Sequence, residues 1–291
     1  MENLAVSNTI SQSGGSKVRR AMLDVIIALV PAVIAAIVFF KLDALIPIAV
    51  CVGTAVLSEA VFNLICKRKQ TVSDLSAVVT GLLLALSLPV SVTIWQCVVG
   101  SLFAIVIVKC AFGGIGYNFA NPSVASRVML IVAFGTVAQG ADGELPSYVE
   151  MLVSNRGGMI GEACAAALLV GGIYLVIRRV VSWYAPVAYI AGVFALSFAL
   201  TQDVKLALYY VFSGGLIIGA IFMATDPVTS PKKCLGKIVF VLCCAVITVL
   251  IRVYGTNSEG ATFFAILMMN ILCPYIDRIS EKKQVNEEVA K

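Results

Sequence analysis

The chain has 291 residues, of which 60% are hydrophobic and 13% charged, with a net charge of +5. Soluble domains carry about 25% charge, so this composition excludes an ordinary soluble domain and indicates a membrane protein. It contains no His, and its nine Cys are scattered without a C-x-x-C, which excludes His-built zinc or haem sites and argues against a self-contained iron–sulfur site.

A membrane-spanning helix needs about 20 mostly apolar residues. Ten such stretches are predicted, at 22–40, 44–65, 72–89, 92–112, 122–140, 160–178, 184–200, 205–223, 235–253 and 260–276. Helices are expected because open strands leave backbone groups unpaired in lipid. The fold class is therefore all-α and polytopic. Residues 1–20 read as a polar cytoplasmic segment, 21–278 as the transmembrane domain and 279–291 as a solvated cytoplasmic tail. The first apolar run is long enough to span and lacks a small-residue cleavage site, so it reads as a span rather than a secretory leader.

Basic residues gather at alternate ends of these segments. Arg19 and Arg20 precede the first span, and Lys67, Arg68 and Lys69 follow the second. Lys109 ends the fourth, Arg178 and Arg179 follow the sixth, and Lys232, Lys233 and Lys237 follow the eighth. The opposite connections carry few. Cytoplasmic loops are enriched in Lys and Arg, so both termini are placed in the cytoplasm, which requires an even number of spans. The net charge thus reflects membrane orientation, and no basic cluster with interleaved aromatics suggests nucleic acid.

In chain order, Glu59 is an ionisable group inside the second span and hence a functional candidate; pairing with nearby Lys67 is the alternative. The third segment opens on Ser73, Asp74 and Ser76, which suit a helix cap, with Thr80 placed to bond a neighbouring helix. It closes as Gly81–Pro89, and the eighth closes as Gly219–Pro227, 138 residues later, each with Gly eight residues ahead of Pro. Paired interrupted helices in corresponding halves point to an inverted repeat with a site near its interface. A 5+5 inversion would put Pro89 outside and Pro227 inside.

Residues 112–127 join the fourth and fifth segments. Gly113, Gly114 and Gly116 permit positive φ, Asn118 and Asn121 supply amides, and Arg127 adds charge. This string suits an anion, a flavin or another heteroaromatic ring; the alternative is a tight turn with Asn as cap. Asp226, in the Pro-flanked break after the eighth segment, is a candidate for a cation or an unwound helix end. Asp24 and Glu162 read as interfacial. Residues 137–159 form the longest outer connection. No nucleophile–base pair, phosphate loop or metal signature is visible, so no catalytic or metal residue is assigned.

The strings Ser73–Pro89, Phe112–Arg127, Gly161–Val176, Phe222–Pro231 and Glu259–Arg278 together resemble the D subunit of the Rnf ion-translocating electron-transport complex, related to the B subunit of the sodium-translocating NADH:quinone reductase. The resemblance spans about 20–280. It implies a membrane subunit of a ferredoxin:NAD oxidoreductase with A, B, C, E and G type partners. It also implies residence in the bacterial inner membrane, electron relay through FMN or riboflavin, and coupling to Na⁺ or H⁺ movement. Flavin is then expected near 112–127 and 137–159, with Gly113, Gly114, Asn118, Asn121 and Arg127 as binding residues and Glu59, Asp74 and Asp226 on the ion path. The family anchors FMN to a Thr between its fifth and sixth helices; that loop here has no Thr after Thr136. The nearest similar string ends in Thr262, in another loop, which leaves covalent attachment doubtful. Leu75 also stands where the family has Gly, and Ser87 where it has Asn. A flavin-free scaffold and an inverted-repeat channel or secondary transporter stay open as alternatives.

Overall fold

The computed structural model describes residues 15–135, 145–153, 158–255 and 260–289, with side chains from 17 to 279. It is all-helical among these residues. Two long helices open it, α1 (Gly15–Phe40) and α2 (Leu42–Ile65). A short helix, α3 (Ser76–Leu86), comes next, then α4 (Ile94–Leu102), which continues to Cys110 with wider π turns, and α5 (Pro122–Phe134). After α6 (Tyr148–Val153), a 3-10 turn leads into α7 (Ala165–Ile177) and then α8 (Tyr184–Thr201). Helix α9 (Val204–Phe212) and the short α10 (Leu216–Ile218), extended by π turns to Met223, meet at a 58° bend. The chain ends with α11 (Cys234–Tyr254) and α12 (Ala261–Val289), the latter continuing past the expected boundary at 278.

Each of the ten expected apolar segments contains helix among the described residues, but they differ in length. Among the described residues, six helices are long and apolar enough to cross a membrane, or seven if the bent α9–α10 pair is one span. The segments expected third, fourth and fifth are shorter, as Ser76–Leu86, Ile94–Cys110 and Pro122–Phe134. The outer surface is apolar, with Ile34, Val38, Leu64 and Ile177 exposed. Lipid, unlike water, carries no penalty for these side chains.

Helices α3 and α10 form the centre and run antiparallel. Ser76 and Thr80, at the start of α3, share a cavity with Thr225 and Asp226 beyond α10. At the other end, Leu88 O accepts from Ile160 N at 2.8 Å, and Gly215 faces Met159. Their glycines allow close approach: a Cβ at Gly81 would lie 2.8 Å from Val52 Cα, and one at Gly219 2.7 Å from Thr262 Cγ2. Small residues at helix crossings let backbones pack without a hydrophobic driving force.

Leu75 caps α3 with φ 66, the left-handed region. That region costs an L-residue about 1–2 kcal/mol, a cost that the Gly expected at this position would avoid. Leu75→Ile, equal in volume but β-branched, should lower thermal stability more than Leu75→Gly, which deletes the side chain. The reverse ranking in thermal unfolding would mean that packing, not backbone conformation, governs the position.

Candidate functional site

Four chain segments converge at the end of the molecule where the basic residues gather. They are the start of α3, the end of α4, the start of α5 and the turn after α10. Each is positioned by a local device. Asp74 Oδ1 accepts from Ser76 N at 2.8 Å and from Ser76 Oγ, which fixes the entry to α3. The π turns of α4 end with Ala111 N donating to Val106 O at 3.0 Å, and those after α10 with Ala224 N donating to Gly219 O at 2.7 Å. Such turns insert a residue and re-aim the chain beyond them. Asn121 Oδ1 caps α5, accepting from Ser123 N at 3.0 Å and Val124 N at 3.4 Å.

A cavity of about 90 Å³ lies between these segments, lined by Ser76, Lys109, Asn118, Asn121 and Asp226 among others. Asn121 Nδ2 donates to Asp226 Oδ2 at 3.4 Å, and Thr229 Oγ1 donates to the same oxygen at 3.3 Å. Asp226 Oδ1 accepts from Val228 N at 3.1 Å. A groove of about 350 Å³ adjoins it, walled by Phe112, Tyr117 and Phe119 with Asn118, Thr229 and Asn270. With its amide turned to satisfy both neighbours, Asn270 accepts from Asn121 N and donates to Thr229 O, each at 3.1 Å. Asn118 lines both spaces, is 8% exposed, and its Oδ1 has no hydrogen-bond partner among the described residues.

Behind the cavity lies a buried ion pair. Lys109 Nζ stands 2.8 Å from Glu59 Oε1, with side chains 3% and 1% exposed. Lys109 also donates to Ser76 Oγ, and Thr71 Oγ1 donates to Glu59 Oε1 at 2.6 Å. Glu59 Oε2 has no hydrogen-bond partner among the described residues. The expected alternative partner, Lys67, is not the one found. Of the three acids expected on an ion path, only Asp226 lines the cavity; Glu59 sits behind Lys109, and Asp74 serves the α3 cap.

Other expected binding residues lie elsewhere. Gly113 N and Gly114 N donate to Cys110 O and Lys109 O at 3.2 and 3.0 Å. These glycines, with φ 116 and 97, close α4 rather than line the cavity or the groove. Arg127 is fully buried over the Phe263 ring, 5.8 Å from its centroid and within electrostatic reach of Glu162. Glu162 is buried rather than interfacial: Oε2 accepts from Met159 N at 3.1 Å, and Oε1 accepts from Gly215 N at the start of α10. Thr262 is fully buried and its hydroxyl accepts from Arg252 at 3.2 Å. Ser258 and Glu259 of that string lie outside the described residues.

The two loops expected to share a flavin are at opposite ends. Leu145 O accepts from Lys205 Nζ at 2.8 Å and Leu152 O from Cys164 at 3.8 Å, before α7 begins. Leu175, near the other end of α7, and Val180, just past it, line the cavity with Asn118. Residues 137–144 and 154–157 of the outer connection lie outside the described residues. Thr80 also differs from expectation: its hydroxyl donates to Ser76 O within α3 at 2.9 Å, and its carbonyl accepts from Ser123 Oγ at 3.0 Å.

A sequence model of the NQR2, RnfD, RnfE family matches residues 6–286. The D subunit of the Na⁺-translocating ferredoxin:NAD⁺ oxidoreductase complex of Acetobacterium woodii is 37% identical, covering 97% of this chain and 95% of that protein. The D subunit of the proton-translocating ferredoxin:NAD⁺ oxidoreductase complex of Clostridium ljungdahlii is 32% identical, covering 91% and 90%. The D subunit of an ion-translocating oxidoreductase complex of Methanosarcina acetivorans is 32% identical over 87% and 86%.

Proposed function

The chain belongs to the NQR2, RnfD, RnfE family, and from that premise we propose that it is the membrane-embedded D subunit of an Rnf-type ferredoxin:NAD oxidoreductase complex. In this reading it carries flavin, helps couple electron flow to Na⁺ or H⁺ movement, and is not catalytic alone. Its partners are the A, B, C, E and G type subunits and the lipid of the bacterial cytoplasmic membrane. Ten membrane segments with both termini in the cytoplasm fit the charge distribution. With α6 set apart and the bent α9–α10 pair counted as one segment, the order of the elements supports an inverted 5+5 repeat: each half has two helices, then a segment ending before a Pro, then two more. Antiparallel α3 and α10 are what such an inversion requires.

The observation that carries the flavin assignment is the partnerless Asn118 Oδ1 beside the aromatic groove. A buried amide oxygen without a donor costs about 1–3 kcal/mol, and a flavin ring edge offers the N–H it lacks. Phe112, Tyr117 and Phe119 offer faces against which a planar ring packs. The residues present therefore fit a non-covalently held flavin, with Asn118 orienting it and the rings excluding water. When bound, a flavin supplies the electron-carrying chemistry, while the chain supplies position and electrostatics. The bonded Thr262 hydroxyl argues against an anchor there.

Asp226 is the acid that lines the cavity, and in this reading it is the ion-path residue closest to the flavin. Glu59 and Asp74 support that path through the Lys109 and Ser76 contacts. The relatives named for Na⁺ and for protons are both similar over most of their length, so the ion is decided by experiment.

Affinity purification of this chain from its native membrane should bring down the other five subunits together with flavin. Asn118→Leu should lower the flavin content of the chain at least tenfold, as expected for loss of one well-made polar contact, with assembly retained. Unchanged flavin content in that variant would move the site away from Asn118.

A further inference from the structure

We infer that a cleft at the start of α11 binds the phosphate group of an anionic phospholipid. The cleft lies between three segments: the first turns of α11, the turn after α10 and the turn between α7 and α8. Its polar groups are Ser182, Thr225, Ser230 and Lys237, with Phe240 and Ala185 among its apolar walls. Among the described residues, none that lines it is a carboxylate.

Ser230 makes the cleft more than a surface lysine. It is 6% exposed, and its hydroxyl has no hydrogen-bond partner among the described residues. Buried hydroxyls are normally paired, so this donor calls for an acceptor from outside the chain. Thr225 does not offer its proton, since its hydroxyl donates to Ile221 O. Lys237 Nζ donates to Ser182 Oγ at 3.3 Å, which uses one of its three N–H groups. The cleft therefore presents one hydroxyl donor and two ammonium donors to an incoming anion.

The cleft volume is about 30 Å³. That admits one oxygen atom, not a whole phosphate. A phosphodiester fits by placing one oxygen inward against Ser230 while its remaining charge stays at the mouth with Lys237.

The surroundings select a lipid as the source of that phosphate. Lys237 lies in the first turns of a long apolar helix, with Leu235 62% and Val239 45% exposed beside it. Trp183, 63% exposed, flanks the same cleft. Exposed Trp and a shallow Lys mark the headgroup level of a bilayer. Lys232 and Arg179 add positive charge at this end, while Arg178 is paired with Asp24 at 3.2 Å. Basic pockets between membrane helices on the cytoplasmic side favour anionic headgroups. The lipid site does not depend on the flavin assignment.

The test uses the whole complex in nanodiscs of phosphatidylcholine with a few per cent phosphatidylglycerol, followed by native mass spectrometry of retained lipid. The wild-type chain should retain phosphatidylglycerol in preference to phosphatidylcholine. Ser230→Ala with Lys237→Gln should reduce that retention about tenfold, with subunit assembly as the control for folding. Ser230→Ala alone, a minimal deletion, should give a smaller loss in the same direction. Equal retention in wild type and double variant would overturn the proposal. So would displacement of the lipid by millimolar inorganic phosphate, which would make the site one for the free anion.

Discussion

Lys109→Ala should destabilise the protein by about 3–5 kcal/mol, the usual effect of removing one partner of a buried ion pair. The reason is geometric. Glu59 and Lys109 come from α2 and the end of α4, 50 residues apart, and neither reaches solvent. Without Lys109, Glu59 keeps one bond from Thr71 and holds a charge that is 1% exposed to solvent. Ser76 Oγ also loses a donor at the entry to α3. The double variant Glu59→Gln with Lys109→Met removes both charges and should recover most of the loss, because two buried ions replaced together avoid the desolvation cost. Thermal unfolding of the purified complex in detergent separates these outcomes. Two equally unstable variants would indicate that the charges act independently rather than as a pair.

Arg252→Ala should cost about 3 kcal/mol or more, at the opposite end of the molecule. Its guanidinium donates to three carbonyls at the bend between α9 and α10: Tyr210 O, Ser213 O at 2.8 Å and Gly214 O at 3.2 Å. It also donates to Thr262 Oγ1 at 3.2 Å. Hydrogen bonds to a charged group contribute about 1.5–3 kcal/mol each, and unpaired buried carbonyls carry their own cost. The bend needs this support because Gly214 and Gly215, with φ 64 and 69, leave the helix ladder open. Arg252→Lys should rescue little, since one ammonium does not reproduce a planar fork that reaches several acceptors. Unfolding midpoints and protease sensitivity at the bend check this. Full rescue by Lys would show that charge alone suffices.

Much of this architecture is legible in the residues. Apolar run lengths place helix within each expected segment, though six or seven of the helices among the described residues are long enough to span, and the Pro after each Gly-led segment marks where α3 and the α10 turns end. Asn121 as the α5 cap is expected from the Asn-Pro pair. The pairing of side chains is less legible. Lys109 reads in sequence as an orientation charge, yet it neutralises Glu59, because only the fold brings α4 against α2. Glu162 reads as interfacial because it opens a span, yet the bend before α10 turns Gly215 N towards it. The glycine string attracts a binding role through its composition, while the structure uses its amides to close α4. The signals for these pairings are small. A Lys deep in an apolar run, as at Lys109, suggests a buried acid elsewhere, and Glu59 is the acid at comparable depth. The π turns leave no mark in composition, and the 58° bend is marked only by Gly214-Gly215.

Flavin held by this chain without a covalent bond is the assignment on which the redox role depends most. Intact-mass measurement of the subunit from the purified native complex, paired with flavin analysis of the acid supernatant, tests it. An unmodified chain of 30.7 kDa with one flavin released per chain is the expected result. A chain that carries the flavin mass on denaturation would contradict the non-covalent assignment. A chain with flavin in neither fraction would contradict its role as a redox subunit.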